Sequence, residues 1–252
     1  MAFNAIFILV LVFFFTSMVG VVTGSNSLIA VPAMFQVGID AKTAVATNMF
    51  GLVFMSIGGA IPFIRQKRID FAKVTPFIVI TVIASALGAL LVGILSSNAL
   101  KLIVSGAMIF VALFTLLRRK AGVADTVKPI AYAIPLTYLL TFILGVYGGL
   151  FSGGYVTILT AVCVGIYGMG YGEAVASTKL INVFSSAVAT GIFMWQGLVD
   201  YRLGAIIGVT MFGGAYVGAL YATKLNDVWL RRIFLTTVFL LAAKTLYDFF
   251  WI

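Results

Sequence analysis

Gly20-Val-Val-Thr-Gly-Ser-Asn-Ser-Leu28 places glycines, hydroxyls and an amide inside a segment that is otherwise apolar on both sides. The cluster returns later in the chain as Gly148-Gly-Leu-Phe-Ser-Gly-Gly-Tyr-Val156. Each copy interrupts what would read as one long membrane helix. Hydrocarbon offers no partner for free backbone N–H and C=O groups, so such a break survives only against protein or a water-filled cavity. Two breaks at matching places in two halves of a chain point to a transport site.

The surrounding composition sets the class. Of 252 residues 63% are hydrophobic and 9% charged, with a mean hydropathy of +1.19, whereas soluble domains carry about a quarter charged residues. The chain reads as an all-α polytopic membrane protein. Its first residues lack a basic stretch and run straight into apolar sequence, which reads as a retained helix. Histidine is absent and Cys163 stands alone, which removes the commonest metal ligand and general base and any disulfide framework. Neither a metal nor a cofactor is expected. Ser152 within Phe-Ser-Gly-Gly has no visible base to activate it, so no enzyme is read here. The net charge of +9 collects in short loops between apolar runs, which fits membrane orientation and not nucleic-acid binding.

Apolar runs cover 3–22, 43–64, 74–95 and 99–117, with a short one at 28–37. About 20 residues at 1.5 Å rise cross a bilayer core. The longest polar stretch, Arg118 to Lys128, divides an N-terminal repeat (1–120) from a C-terminal one (129–252), with 121–128 as linker. The pattern then restarts with 130–147, a short run at 156–167, and long runs at 173–196, 203–222 and 230–250. Halves align at an offset of 130, with a slip of a residue near the glycine clusters. Thr43-Ala-Val-Ala-Thr47 meets Glu173-Ala-Val-Ala-Ser177, and Phe63, Gln66 and Asp70 meet Phe193, Gln196 and Asp200.

Charge decides how the halves are related. Arg65-Gln-Lys-Arg-Ile-Asp70 is basic, while Trp195-Gln-Gly-Leu-Val-Asp200 has no basic residue. The other equivalent loops also swap basicity: 96–101 is poor and 224–232 rich, while 118–120 is basic and the chain's last residues are not. Basic loops stay cytoplasmic, so equivalent loops lie on opposite faces and the repeats are of inverted topology. Each repeat then needs a Gly-rich broken helix or re-entrant hairpin plus three full transmembrane helices. Residues 3–37 and 130–167 return to their starting side, either as hairpins meeting mid-membrane or as a full helix followed by a short broken one.

Candidate binding residues gather at the breaks and on the helices that follow. A helix starting at a break aims N–H groups and a positive dipole end into the cavity, which favours an anion. Close Gly-xxx-Gly packing also fits Gly20/Gly24 and Gly149/Gly153, but does not need the hydroxyls between them. Lys179 lies about two turns into the run 173–196, where an ionisable residue marks function unless it snorkels to the interface. The substrate-binding set is Thr23, Ser25, Asn26, Thr47, Asn48, Ser152, Ser177, Thr178, Lys179 and Asn182. Met49 stands where Lys179 stands in the other half, so positive charge comes mainly from the second. Asp40 and Glu173 are the carboxylates near the gate regions and read as solvated loop residues or proton carriers; Lys244 and Asp248 read as an interfacial i, i+4 pair.

Gly20, Gly24 and Pro32, Ala44-x-Ala-Thr47, and a basic loop ending Ile69-Asp70 together resemble the TauE/SafE sulfite exporter family. Gly145 to Gly154, Glu173-Ala-Val-Ala-Ser-Thr-Lys179 and Gly197-Leu-Val-Asp200 extend the resemblance over both repeats. It implies a secondary transporter in the cytoplasmic (inner) membrane that exports a small sulfur-containing anion, sulfite or an organosulfonate, by alternating access. The alternative is a passive anion channel or a non-transporting membrane assembly protein. Expected partners are the anion and membrane lipid, not nucleic acid. Which anion, the energy coupling and whether copies form a homo-oligomer stay open at this stage.

Overall fold

The computed structural model describes residues 3–24, 26–117, 132–226, 228, 229, 232 and 236. Among them the chain forms α1 (Phe3–Thr23), α2 (Ser27–Gln36), α3 (Ala41–Arg65), α4 (Phe71–Ile94), α5 (Ser97–Leu117), α6 (Ala133–Leu150), α7 (Tyr155–Gly165), α8 (Tyr171–Trp195) and α9 (Tyr201–Ala222), with no strand. Six of these, α1, α3, α4, α6, α8 and α9, are long and apolar enough to cross a membrane. Apolar side chains face outward in helical stripes: Phe7, Leu11 and Phe15 on α1, Val79, Ile83 and Leu87 on α4, and Leu136, Leu139 and Ile143 on α6. Water would penalise such surfaces, whereas lipid accepts them. The polar residues turn inward instead. In their most apolar windows α3 and α8 are 72% and 67% buried, against 39% for α1 and α4 and 33% for α6. Lower hydropathy and deeper burial coincide in α3 and α8, which form the centre. This is a multi-pass membrane protein.

Several backbone features recur at the offset of 130 residues. α3 and α8 run Ala41–Arg65 and Tyr171–Trp195, and α4 and α9 begin at Phe71 and Tyr201, each pair 130 residues apart. Among the described residues, those with positive φ fall into three pairs at the same offset: Gly24 and Gly154 (71° and 80°), Gly38 and Gly168 (both 83°), and Lys67 and Gly197 (53° and 69°). The glycine breaks therefore align with no slip. Asp70 caps α4 by accepting from the N–H groups of Ala72 and Lys73, and Asp200 caps α9 by accepting from that of Leu203. Gly88 of α4 presses on the Val146 carbonyl of α6, as its counterpart Gly218 of α9 presses on the Met18 carbonyl of α1. A Cβ at either would come within 2.1 Å of that oxygen, so only glycine permits these crossings.

Cross-contacts fix the helix directions. At one end Lys73 Nζ, in the first turn of α4, meets Glu173 Oε1 in the first turn of α8 at 3.2 Å. There too Arg68, just past α3, donates to the Thr223 carbonyl just past α9 (3.1 Å). At the other end the Asp200 N–H before α9 donates to Thr47 Oγ1 early in α3 (3.0 Å). Lys42 Nζ there donates to the Gly93 carbonyl near the end of α4 (3.0 Å), and Gln196 abuts that glycine. Hence α3 and its counterpart α8 run in opposite directions, and so do α4 and α9. We call the end with Arg65, Lys67, Arg68, Lys73 and Lys224 the basic face.

The breaks take a definite form. α1 ends against Gly59 and Lys179, inside the bundle, and α2 returns toward the start of α3. α6 and the 11-residue α7 repeat this arrangement of a long helix and a half-length one. The linker 121–128, the run 230–250 apart from Arg232 and Thr236, and the pair Lys244–Asp248 lie outside the described residues.

Candidate functional site

The two breaks touch each other at the centre. A Cβ on Gly24 would lie 2.7 Å from Val156 Cβ and 2.8 Å from the Thr157 nitrogen, so the first turn rests directly on the start of α7. Thr157 Oγ1 donates to the Thr23 carbonyl (2.7 Å), tying the last residue of α1 to the second half. The second turn is braced from its own side, where the Tyr147 hydroxyl donates to the Gly153 carbonyl. Leu28 of α2 packs close to Gly153. The starts of α2 and α7 thus meet, bringing two positive helix ends together.

Between them lies a cavity of about 10 Å3, lined by Gly24, Asn26, Ser27, Leu52, Met55, Ser152, Val156, Lys179 and Asn182. Space of this size holds about one water. Leu52 and Met55 sit near the middle of α3, and Lys179 and Asn182 near the middle of α8, so the cavity lies at mid-span. Lys179 is 2% exposed. Its ammonium does not snorkel outward but donates to the Gly20 carbonyl at 2.9 Å. No carboxylate lines the cavity, and among the described residues no cluster of acids, cysteines or histidines suits a metal.

The amides complete the set. Asn182 Nδ2 donates to Ser56 Oγ (2.6 Å), and Asn48 Nδ2 to Ser27 Oγ (2.9 Å). Asn26 has neither Nδ2 nor Oδ1 paired although both are buried, and Asn48 Oδ1 and Ser177 Oγ are also unpaired. A buried amide without partners costs about 1–3 kcal/mol per unmet group. Here it provides a donor and an acceptor at the cavity wall.

The sequence-derived candidates separate accordingly. Asn26, Ser152, Lys179 and Asn182 line the cavity, and Asn48 is joined to it through Ser27. Thr23 contributes its carbonyl to the contact between breaks. Thr47 supports the start of α9, and Thr178 bonds Thr160 Oγ1 (3.0 Å) and its own helix at Ala174 (2.9 Å), so neither hydroxyl is among the cavity lining. Ser177 is buried on α8 away from the lining, and Ser25 lies outside the described residues. Ser27, Leu52, Met55 and Val156 complete the wall. A signal for Leu52 existed: it is Asn182's counterpart at the offset of 130, and Asn48, Leu52 and Met55 share one helical face.

The two ends of the bundle are held differently. On the basic face an open depression of about 430 Å3 is lined by Lys67, Arg68, Ile69, Asp70, Gly172 and Glu173, and the Lys73–Glu173 pair bridges the halves above it. On the opposite face Asp40 caps α3 through the Lys42 N–H (3.0 Å) and accepts from Ser97 Oγ (2.8 Å). The Ser97 hydroxyl holds the Asp40 carboxyl below the usual carboxylate range.

Residues 9–245 match the family model described as sulfite exporter TauE/SafE. The chain is 27% identical over 251 residues to a Sinorhizobium protein called "Probable membrane transporter protein ORF9", covering 98% of this chain and 95% of that one. It is 28% identical over 254 residues to "Probable membrane transporter protein YfcA" of Escherichia coli strain K12, with 98% and 94% covered. A Haemophilus influenzae "Probable membrane transporter protein" is 24% identical, with 97% and 95% covered. No solved structure matches the chain.

Proposed function

Because the chain belongs to the sulfite exporter TauE/SafE family, and is a membrane transporter of that type, we propose that it exports a small sulfur oxyanion, sulfite or an organosulfonate, across the cytoplasmic membrane. The observation that carries this reading is Lys179. A buried ammonium stands at mid-span beside two helix starts, with amides and hydroxyls around it and no acid to receive a cation. In this role Lys179 supplies charge, while Asn26, Asn182, Ser27 and Ser152 hold oxyanion oxygens. Asn48, Thr23, Thr47, Ser177 and Thr178 support the same site from behind or from its approaches, and Ser25 belongs to the proposed set on its sequence position alone.

Transport proceeds by alternating access between inverted halves. Opposed α3 and α8 support the inversion, and a cavity with room for about one water supports a closed form that must enlarge to admit an anion. The basic face is cytoplasmic on this reading, which makes the Lys73–Glu173 pair the inner closure.

Anion flux into proteoliposomes tests the proposal. Lys179→Met abolishes saturable sulfite or sulfonate flux while the protein still inserts and folds; unchanged flux in that variant refutes the role of Lys179. Unsaturable, gradient-independent flux would indicate a channel, and no flux with any anion an assembly protein. Topology has its own test, since Cys163 is buried. A cysteine placed at Gly197 is labelled from the outside only, and labelling from the cytoplasmic side alone would sink the inverted arrangement.

A further inference from the structure

Lys179 poses a charge problem whenever the cavity holds no anion. Among the described residues the Gly20 carbonyl is its only hydrogen-bond acceptor, although an ammonium has three N–H groups to place. The helices around it offer no opposite charge. α1, which supplies Gly20, and α2 carry no titratable residue. On the neighbours packed against α8, α3 has only Lys42 and Arg65 near its ends, α4 has Lys73 in its first turn, α6 has Tyr138 and Tyr147, and α7 has Tyr155 and Cys163. Glu173, on α8 itself, is held by Lys73 at the basic face. The carboxylate Asp40 is a cap on the opposite face.

Two forms of this pocket bury no net charge: a neutral amine with no anion, and an ammonium paired with a monovalent anion. An isolated ammonium is the form that mid-span burial disfavours. Resting on the transport reading above, we propose that Lys179 is the carrier of a coupling proton, so that this protein moves one proton together with each anion. Arrival of the anion is accompanied by transfer of a proton from hydronium of the same compartment to the Nζ lone pair: the O–H bond breaks with its electron pair left on the water oxygen, and the N–H bond of the ammonium forms. Departure on the far side breaks that bond, returns the proton to water and leaves the neutral amine for the return step. No oxidant or further reactant takes part, and for a monovalent anion no net charge crosses the membrane.

The probes are methanesulfonate and sulfate, which carry no proton of their own near neutral pH. The full chain is reconstituted in vesicles that enclose a pH-sensitive dye, with the membrane potential clamped. A methanesulfonate gradient acidifies the compartment that receives the anion, and an imposed pH gradient accumulates methanesulfonate about tenfold per pH unit at one-to-one coupling. A membrane potential alone leaves methanesulfonate flux unchanged. Lys179→Arg, whose side chain stays charged, loses accumulation driven by pH, whatever exchange of labelled for unlabelled anion it retains. Flux of either probe with no pH change overturns the proposal and leaves the transport reading intact. So does sulfite transport with neither probe carried, since sulfite can bring its own proton. Absence of flux for all three anions overturns both readings.

Discussion

The two breaks share a backbone and differ in what stands behind them. Gly24 and Gly154 adopt the same left-handed conformation at equivalent places, and each opens a half-length helix at the cavity. Behind the second break Lys179 reaches the cavity from α8; its counterpart on α3, Met49, is fully buried and is not part of the cavity wall. The turn geometry is shared between the two breaks while the side chains behind them differ. Two equivalent lysines would place like charges around a space of about one water, which such a cavity does not accommodate. On the proposed function, one charged half and one amide-rich half serve a small anion better.

The strongest way to break this comparison is to exchange the residues. Lys179→Met combined with Met49→Lys leaves anion flux at background, because position 49 does not line the cavity; recovered flux would mean that the halves are interchangeable. Gly24→Ala comes next. Beyond roughly 1–2 kcal/mol for a left-handed alanine, its Cβ meets the backbone of α7, whereas at Gly154 the atoms nearest the added carbon belong to the Val111 side chain. Thermal inactivation of the two variants in detergent therefore shows the larger loss for Gly24→Ala, and only Gly154→Ala is partly rescued by Val111→Ala.

A smaller effect follows at Asn26, whose amide is unpaired in the closed cavity. Asn26→Leu leaves thermal stability unchanged or raised and weakens anion binding about tenfold, as loss of roughly 1.4 kcal/mol requires. Parallel losses in stability and binding would show that the amide supports the fold instead. The smallest effect is at the helix starts. Asp40 caps α3 where the second half has Gly170 before α8, and Asp40→Gly costs a few tenths of a kcal/mol. The Asp40 carboxyl is held below its ordinary value in the fold, so its contribution is present above the usual carboxylate range, about 4, and is lost as pH falls below it. The variant's thermal midpoint converges on the wild type at that acidic end.

Much of the architecture was legible because membrane helices declare themselves. Long apolar runs must be helical, and Asp70, Asp200 and the loop glycines mark where they start and turn. The offset of 130 could be read from residues as far apart as Thr43 and Glu173, and the turns at Gly24 and Gly154 keep that offset without a slip. The site was legible in part. Lys179 and Asn182 announce themselves as polar residues within a span, but the direction of a hydroxyl does not. Thr47 and Thr178 are as polar as their neighbours, and helix rotation sends them to Asp200 and Thr160. Leu52, Met55 and Val156 carry no chemical label at all; only the meeting of α2, α3 and α7 makes them a wall.

Lys67 is the one non-glycine among the described residues with positive φ, at the turn where the other half has Gly197. On folding grounds glycine suits that turn better by about 1 kcal/mol. The lysine belongs to the basic loop that, on the proposed topology, anchors this end in the cytoplasm during insertion. On that topology its strained backbone is a trace of biogenesis, a place where the requirement to enter the membrane the right way round outweighs the preference of the finished fold. Lys67→Gly would then yield a slightly sturdier protein that inserts with less certainty about which way to face.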